Sequence, residues 1–458
     1  MLKIDRPRES LADAAIGYTT DTIVAQATPP GRGGLAIVRI SGPDALNLAK
    51  QLCRTPLEAR PRYSQLHELI SPSDGQILDK ALITYYQAPA SFTGEDVVEI
   101  STHGGYVTPG RIIRAVIGLG ARSAGPGEFS MRAFFNGKLN LAEAESLNQM
   151  ISSLSRRGQV AAMDNLSGHL SREIEAARQL LLDLMTLLEH ELDFSEEEID
   201  STSRNEIGRV LTAATIQLQH LRKTAHYGRI IRDGVRIILA GPPNTGKSSL
   251  FNALIGHERA IVTDVPGTTR DSIEAWLEID GFPVCLVDTA GLCESKVSVE
   301  QISVQKSRQQ IDRADILLVL DPTEPLNVEL IADITDKTIL YVRSKVDLAV
   351  KGRTDKIIDT SVRRKDGLDD LLANIRMALE SHIPSGDSAI VSSERQLGAL
   401  EKALAHLDVV KEQLDSGQPI DIISGEIRLA VNQLSEIIGE TTSEDVIRRI
   451  FNDFCVGK

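Results

Sequence analysis

The chain has 458 residues, of which 42% are hydrophobic, 25% charged and 4% aromatic, and its formal net charge is −14. That length predicts about three domains, and the acidic balance argues against a protein whose whole surface coats nucleic acid. No run of roughly 18 apolar residues occurs, so no membrane-spanning helix is expected.

Residues 1–20 lack the apolar core of a secretory signal and read as a loosely ordered extension. Cys53, Cys285, Cys293 and Cys455 are scattered without metal-ligand spacing, which fits a reducing cytoplasm and no disulfide framework. Residues 21–140 mix short β-like runs (TIVAQATPP, GLAIVRISG, ALITYYQAP, DVVEIST) with glycine-rich turns and one helical stretch, TPGRIIRAVIGLG, and predict a compact α/β domain. From Leu141 to Phe194 helix formers dominate, with apolar residues three and four apart and only Gly168 interrupting, until the acidic SEEEID at 195–200. A further helix is predicted over roughly 204–226, and the helical texture returns at 393–458. Between them, residues 233–390 alternate strands and helices, the pattern of a mostly parallel sheet covered by helices. One helical domain split by an inserted α/β domain follows. The basic groups Arg156–Arg157, Lys223 to Arg232 and Arg448–Arg449 read as solvated helix faces rather than a nucleic-acid patch.

The insert carries a nucleotide site. GPPNTGKS at 241–248 fits G-x-x-x-x-G-K-[ST], following a β-like run and opening a helix. Small residues let backbone amides wrap phosphates, and the helix N-terminus adds its positive dipole. The contacts expected here are Asn244, Thr245, Gly246, Lys247, Ser248 and Ser249. Lys247 reaches the β- and γ-phosphates and counts among the catalytic groups, and Ser248 offers a hydroxyl to Mg²⁺. GTTRD at 267–271 supplies a switch loop, with Thr269 placed to close on Mg²⁺ and the γ-phosphate. Asp288, opening DTAG, is the acidic group behind Mg²⁺, and Gly291 donates its amide to the γ-phosphate. Base choice falls to SKVD at 344–347: Asp347 accepts from the N1/N2 edge of guanine, and the Lys345 stem lies along the base. Ser344 departs from the usual N-K-x-D pattern, so guanine selectivity is expected to survive with a lower affinity. Ser361, Val362 and Arg363 are a poor match to the later S-A-K loop. Leu292, after DTAG, cannot orient a water; Glu294 and Glu300 are the carboxylates available downstream.

Outside this core, DTIVAQATPPGRGGLAIVRISG, FTGEDVVEISTHGG, PGEFSMRAFFNGKLNLAEAE, LDFSEEEID, GTTRDSIEAWLEIDGFPVCLVDTAGL and the final FCVGK resemble the MnmE (TrmE) family of tRNA-modifying GTPases, from about residue 21 onward. The resemblance implies a tetrahydrofolate-binding and dimerising α/β domain at 21–140 and a Ras-like P-loop GTPase domain at 233–390. That domain is inserted between two parts of a helical domain, 141–232 and 391–458. It implies a K⁺-dependent GTP hydrolase that works as a homodimer with an FAD-containing MnmG-type partner, as a heterotetramer, on tRNA. The pair would build a carboxymethylaminomethyl or aminomethyl group on C5 of the wobble uridine from a 5-formyl or 5,10-methylene tetrahydrofolate. By motif match the folate contacts are Arg39, Glu99, Lys138 and Lys458, and Cys455 takes part in the modification chemistry. The resemblance further implies a potassium ion held by Asn244, Thr263, Val265 and Thr268 in place of an arginine finger, and Glu300 as the catalytic carboxylate. Pro266 is unfamiliar in that loop but keeps its carbonyl, and Cys293 stands where many members carry Arg. A different class, a regulatory or ribosome-assembly GTPase switch, would lack saturable folate binding by residues 1–140; a third, a nucleotide-binding interaction protein, would have lost turnover.

Overall fold

The computed structural model describes residues 21–194, 201–261, 273–288, 311–322, 337–348, 357–384, 386 and 388–458. The chain divides into two compact units, Met1–Asn148 with Asn432–Lys458, and Gln149–Val431.

In the first unit, β1 (Ile23–Gln26), β2 (Leu35–Ser41), β3 (Ser64–Ile70), β4 (Ile77–Tyr86), β5 (Val97–His103) and β6 (Arg122–Ser123) form one sheet in the order β3-β4-β5-β2-β1-β6. Every pairing is antiparallel except β1 with β6. The alternation of side chains along β1 divides its residues between two clusters. Val24 joins Val38, Ile40, Val98 and Ile100 under α1 (Ala45–Leu52) and α2 (Thr108–Gly118). Ile23 and Ala25 pack with Phe129 of α3 (Glu128–Phe135). The segment returning as α12 (Glu444–Asn452) packs Phe451 against Phe134, and Phe454 against Phe451. Gly127 makes this approach possible: at φ 61°, a Cβ there would lie 2.3 Å from the Phe451 carbonyl. Strand β3 was not among the expected strands, because SQLHELI has a single β-branched residue to announce it.

The second unit opens inside α4 (Leu141–Ser152) and continues through α5 (Arg156–Leu166), α6 (His169–Phe194) and α7 (Ser201–Asp233). The expected helical run is thus broken twice, at Gly168 and at 153–155, where the Ser155 hydroxyl accepts from the Gly158 amide and caps α5. Helices α6 and α7 pair through residues spaced alternately three and four apart: Ile174, Ala177, Leu181, Leu184 and Leu188 on one, Ile207, Leu211, Ala214, Leu218 and Leu221 on the other. Helix α7 runs past the expected end near 226, because Tyr227, Ile230 and Ile231 bury in the core of the inserted domain. It then turns at Gly234 into β7 (Val235–Ala240), followed by α8 (Lys247–His257), β8 (Arg259–Ala260), β9 (Ile273–Ile279), β10 (Phe282–Asp288), β11 (Ile316–Asp321), β12 (Thr338–Arg343), β13 (Ile357–Asp359) and α9 (Leu368–Glu380). Helices α10 (Glu394–Asp415) and α11 (Ile420–Ile438) return to the helical layer and onward to the first unit.

The inserted sheet has the order β13-β12-β11-β7-β10-β9-β8, parallel from β13 to β10 and antiparallel beyond. Both faces are covered, so β10 and β11 are buried along their whole length. One face places Ile237, Leu239, Val284, Leu286 and Leu318 against α8 and α9. The other gathers Ile238, Ala240, Cys285, Val287 and Leu317. Burial pushes the Cys285 thiol up to about 12, which fits an inert core residue. The strand order reverses at β7, and ligands of such sheets bind beyond the carboxyl ends of the strands at that point.

Candidate functional site

The loop leaving β7 folds over its own lysine. Asn244 sits at φ 65° and Gly246 at φ 95°, and Lys247 donates to the Gly241 and Pro242 carbonyls at 2.9 and 2.8 Å. Gly241 is required: its φ is 145°, and a Cβ would stand 2.2 Å from the Leu320 carbonyl on β11. The Thr245 hydroxyl closes the loop onto the Pro242 carbonyl at 3.0 Å. Ser248 and Ser249 follow in the first, exposed turn of α8, where the helix dipole favours an anion.

Asp288 ends β10, fully buried, and accepts the Ser248 hydroxyl at 2.6 Å. Two of the three residues assigned to Mg²⁺ from the sequence are therefore in direct contact. A hydroxyl beside a carboxylate is a hard oxygen set of the kind magnesium takes.

The end of β12 is tied to the same loop. Ser344 donates to the Thr245 carbonyl at 2.5 Å, and Lys345, at φ 56°, donates to the Asn244 carbonyl at 2.5 Å. Asp347 accepts the Ser361 hydroxyl at 2.7 Å, and that hydrogen bond holds its carboxyl below the usual carboxylate range, helped by Arg364 and Arg363. The Ser361–Asp366 bridge closes the turn that presents Ser361, Val362 and Arg363. The loop that matched S-A-K poorly thus supplies the serine that fixes Asp347. Arg343, 3% exposed, was missed from the sequence: it donates to both oxygens of Asp359 at 2.7 and 2.8 Å, joining β12 to β13 just before the two base loops. Its only sequence signal is an arginine inside an apolar strand, a residue that seldom buries unpaired.

Thr263, Val265, Pro266, Thr268, Thr269, Gly291, Leu292, Cys293, Glu294 and Glu300 lie outside the described residues. So does the acidic stretch at 195–200.

The second candidate site lies in the first unit. Arg39 and Glu99 face each other in the β2–β5 register, and the guanidinium donates twice to Glu99 Oε1, at 2.9 and 2.8 Å. It lies between the rings of Phe92 and Phe129, 5.3 and 5.6 Å from their centroids, and its third nitrogen is 3.5 Å from the Gly457 carbonyl. That contact brings the FCVGK segment alongside. Lys138 holds the loop that carries Phe92, donating to the Pro89 carbonyl at 2.8 Å. Cys455 is exposed, and its carbonyl accepts the Gly127 and Lys458 amides.

Beneath that loop lies a charged cluster not named from the sequence. Arg132, 1% exposed, meets Glu95, Glu128 and Asp21, while Ser41 bonds both Glu95 and Thr93. Burial alone would raise the Glu128 carboxyl, but Arg122, the Gly125 amide and Arg132 outweigh it and hold the carboxyl low. The i, i+4 pair Glu128/Arg132 in PGEFSMRAFF was the available signal.

Four of the basic residues read as lying on solvated helix faces are paired with carboxylates. Arg157 pairs with Asp280, Arg229 with Asp315, Arg232 with Asp233, and Arg448 with Glu444.

Two family descriptions match. "GTP-binding protein TrmE N-terminus" covers residues 22–138, and "MnmE helical domain" covers residues 141–455. Among similar proteins, a tRNA modification GTPase MnmE from Desulforamulus reducens is 39% identical over 459 residues, covering 96% of this chain and 99% of its own. Those of Aquifex aeolicus and Photobacterium profundum are 38% and 39% identical, each over 96% of this chain and 100% and 99% of their own lengths. With such identity along nearly the whole length, the chain belongs to the MnmE family.

Proposed function

We propose that this chain is a GTP hydrolase that takes part in tRNA modification. The observation that supports the reading is the joining of the P-loop to the end of β12 through Ser344 and Lys345, which bond the Thr245 and Asn244 carbonyls. Loop amides and Lys247 take the phosphates, and Asp347, aligned by Ser361, takes the N1/N2 edge of guanine. Ser248, backed by Asp288 and joined by Thr269, would hold Mg²⁺, which neutralises phosphate charge when bound. Glu300 positions the attacking water. Asn244, Thr263, Val265 and Thr268 would hold a potassium ion, supplying the positive charge that an arginine finger gives elsewhere.

In the first unit, the site of Arg39, Glu99, Lys138 and Lys458 takes a tetrahydrofolate one-carbon donor. A carboxylate suits the N–H edge of a pterin, and cations suit its glutamate tail. Cys455, exposed beside this site, is assigned to the modification step. The chain works in the cytoplasm as a homodimer with an FAD-containing MnmG-type partner, on C5 of the wobble uridine of tRNA. Residues 21–140, 141–232 with 391–458, and 233–390 are its folate, helical and GTPase domains. The apolar pairing of α6 with α7 supports that division, and the core of the inserted sheet takes in Tyr227, Ile230 and Ile231 from the end of α7.

Bulk tRNA from cells lacking the chain is expected to lose the carboxymethylaminomethyl or aminomethyl uridine on nucleoside analysis; unchanged nucleosides would favour the assembly-switch reading. Purified chain is expected to hydrolyse GTP faster in KCl than in NaCl, and Glu300→Ala to bind GTP without turning it over. Equal rates in the two salts would remove the potassium ion.

A further inference from the structure

Both serine hydroxyls of the base-reading loops donate inward, to the protein. Ser344, 5% exposed, gives its only hydroxyl proton to the Thr245 carbonyl, and a carbonyl can only accept, so the direction of that bond is fixed. Ser361, 1% exposed, gives its proton to Asp347 while accepting the Arg364 amide. Lys345 is turned toward the Asn244 carbonyl, and the Arg364 guanidinium toward the Asp347 carbonyl.

Guanine presents acceptors at N7 and O6 as well as its N1/N2 donor edge. Reading N7 requires a donor, and the Ser344 oxygen has only lone pairs left to offer. An asparagine at this position would differ, because its amide carries two N–H groups and keeps one after tying the loop. We infer that Ser344 is a positioning residue that locks the end of β12 to the P-loop, and that this nucleotide site does not read guanine N7. Discrimination then rests on Asp347 and on backbone amides. The inference rests on the guanine-nucleotide reading above.

The test is equilibrium binding of GTP, 7-deaza-GTP and ITP to the full chain. 7-Deaza-GTP lacks the N7 acceptor, and ITP lacks the 2-amino group. 7-Deaza-GTP is expected to bind within about twofold of GTP, and ITP roughly tenfold more weakly, the scale of one lost charged hydrogen bond. A tenfold loss with 7-deaza-GTP, at normal GTP binding, overturns the inference and leaves the guanine reading intact. ITP binding as tightly as GTP overturns the guanine reading of Asp347 and the inference with it. Ser344→Asn is expected to create a preference for GTP over 7-deaza-GTP. Ser344→Ala is expected to weaken both equally, with Ser344→Thr restoring both. Weakening of GTP alone in Ser344→Ala would show that the hydroxyl reads N7, and would overturn the inference.

Discussion

At the scale of the residue, the nucleotide site depends on positions where backbone shape leaves no alternative. Gly241 combines a left-handed φ with a strand carbonyl 2.2 Å from where a Cβ would be. Gly241→Ala is therefore expected to cost about 1–3 kcal/mol in stability of the inserted domain and to weaken GTP binding. Denaturant unfolding and nucleotide titration check this, and an unchanged midpoint would show that the loop can move off β11. The places of Lys247, Ser248, Asp288 and Asp347 were legible in the sequence, because G-x-x-x-x-G-K-S, the Asp of D-T-A-G and S-K-V-D put fixed residue types at strand ends. What stayed hidden were partners far apart in sequence: Ser344 with Thr245, Arg343 with Asp359, Ser41 with Glu95. No local pattern announces a bond that the strand order creates.

At the scale of the element, α5 grips the hairpin between β9 and β10. Arg157 donates to the Asp280 carbonyl at 2.9 Å and to its carboxylate at 2.8 Å, its amide bonds the Gly281 carbonyl, and its guanidinium lies 4.5 Å from the Phe282 ring centroid. The ion pair itself is partly exposed and screened, so the planar fork and the ring contact carry the interaction. Arg157→Lys is accordingly expected to resemble Arg157→Ala, each lowering stability by about 1–2 kcal/mol. Wild-type melting with the lysine variant would show that charge alone suffices. A second tie joins α7 to the residues after α9, where His226 and His382 meet at 3.1 Å. Burial, the neighbouring His226 and Arg229 hold the His382 imidazole below 6.5, against the pull of Asp315. A depressed histidine must lose its proton to fit the fold, so this contribution is complete above the unfolded pKa and is lost as pH falls below about 6.5. Wild-type Tm is expected to drop more steeply than that of His382→Asn between pH 7 and 5.5. Parallel curves would show that His382 does not carry the acid sensitivity. Most element types were readable from periodicity, though β3 and the break at 153–155 were not, nor was the end of α7. Its last two turns carry Tyr227, Ile230 and Ile231 for the sake of another domain's core.

At the scale of the whole molecule, the first unit is assembled from two distant stretches of chain. Phe451 and Phe454 pack into the corner made by Gly127 and Phe134, and Gly457 lies against the Gln26 carbonyl, where a Cβ would be 2.1 Å away. Deleting residues 444–458 is expected to destabilise the first unit by several kcal/mol through exposed Phe134, while GTP binding by residues 233–390 persists. Limited proteolysis with a nucleotide titration distinguishes this from general unfolding. The sequence hinted at such a split through helical texture on both sides of the insert, yet not that the last helix belongs with the first sheet. The same arrangement sets an order of events during translation. Residues up to 148 emerge while their closing helix is still unmade, and roughly 300 residues must be added before it appears. At ribosomal speeds of about 5–20 residues per second, the sheet waits on the order of tens of seconds with the flank around Phe134 uncovered. Nascent chains of this protein are therefore expected to need a chaperone at that flank until the final helix leaves the exit tunnel.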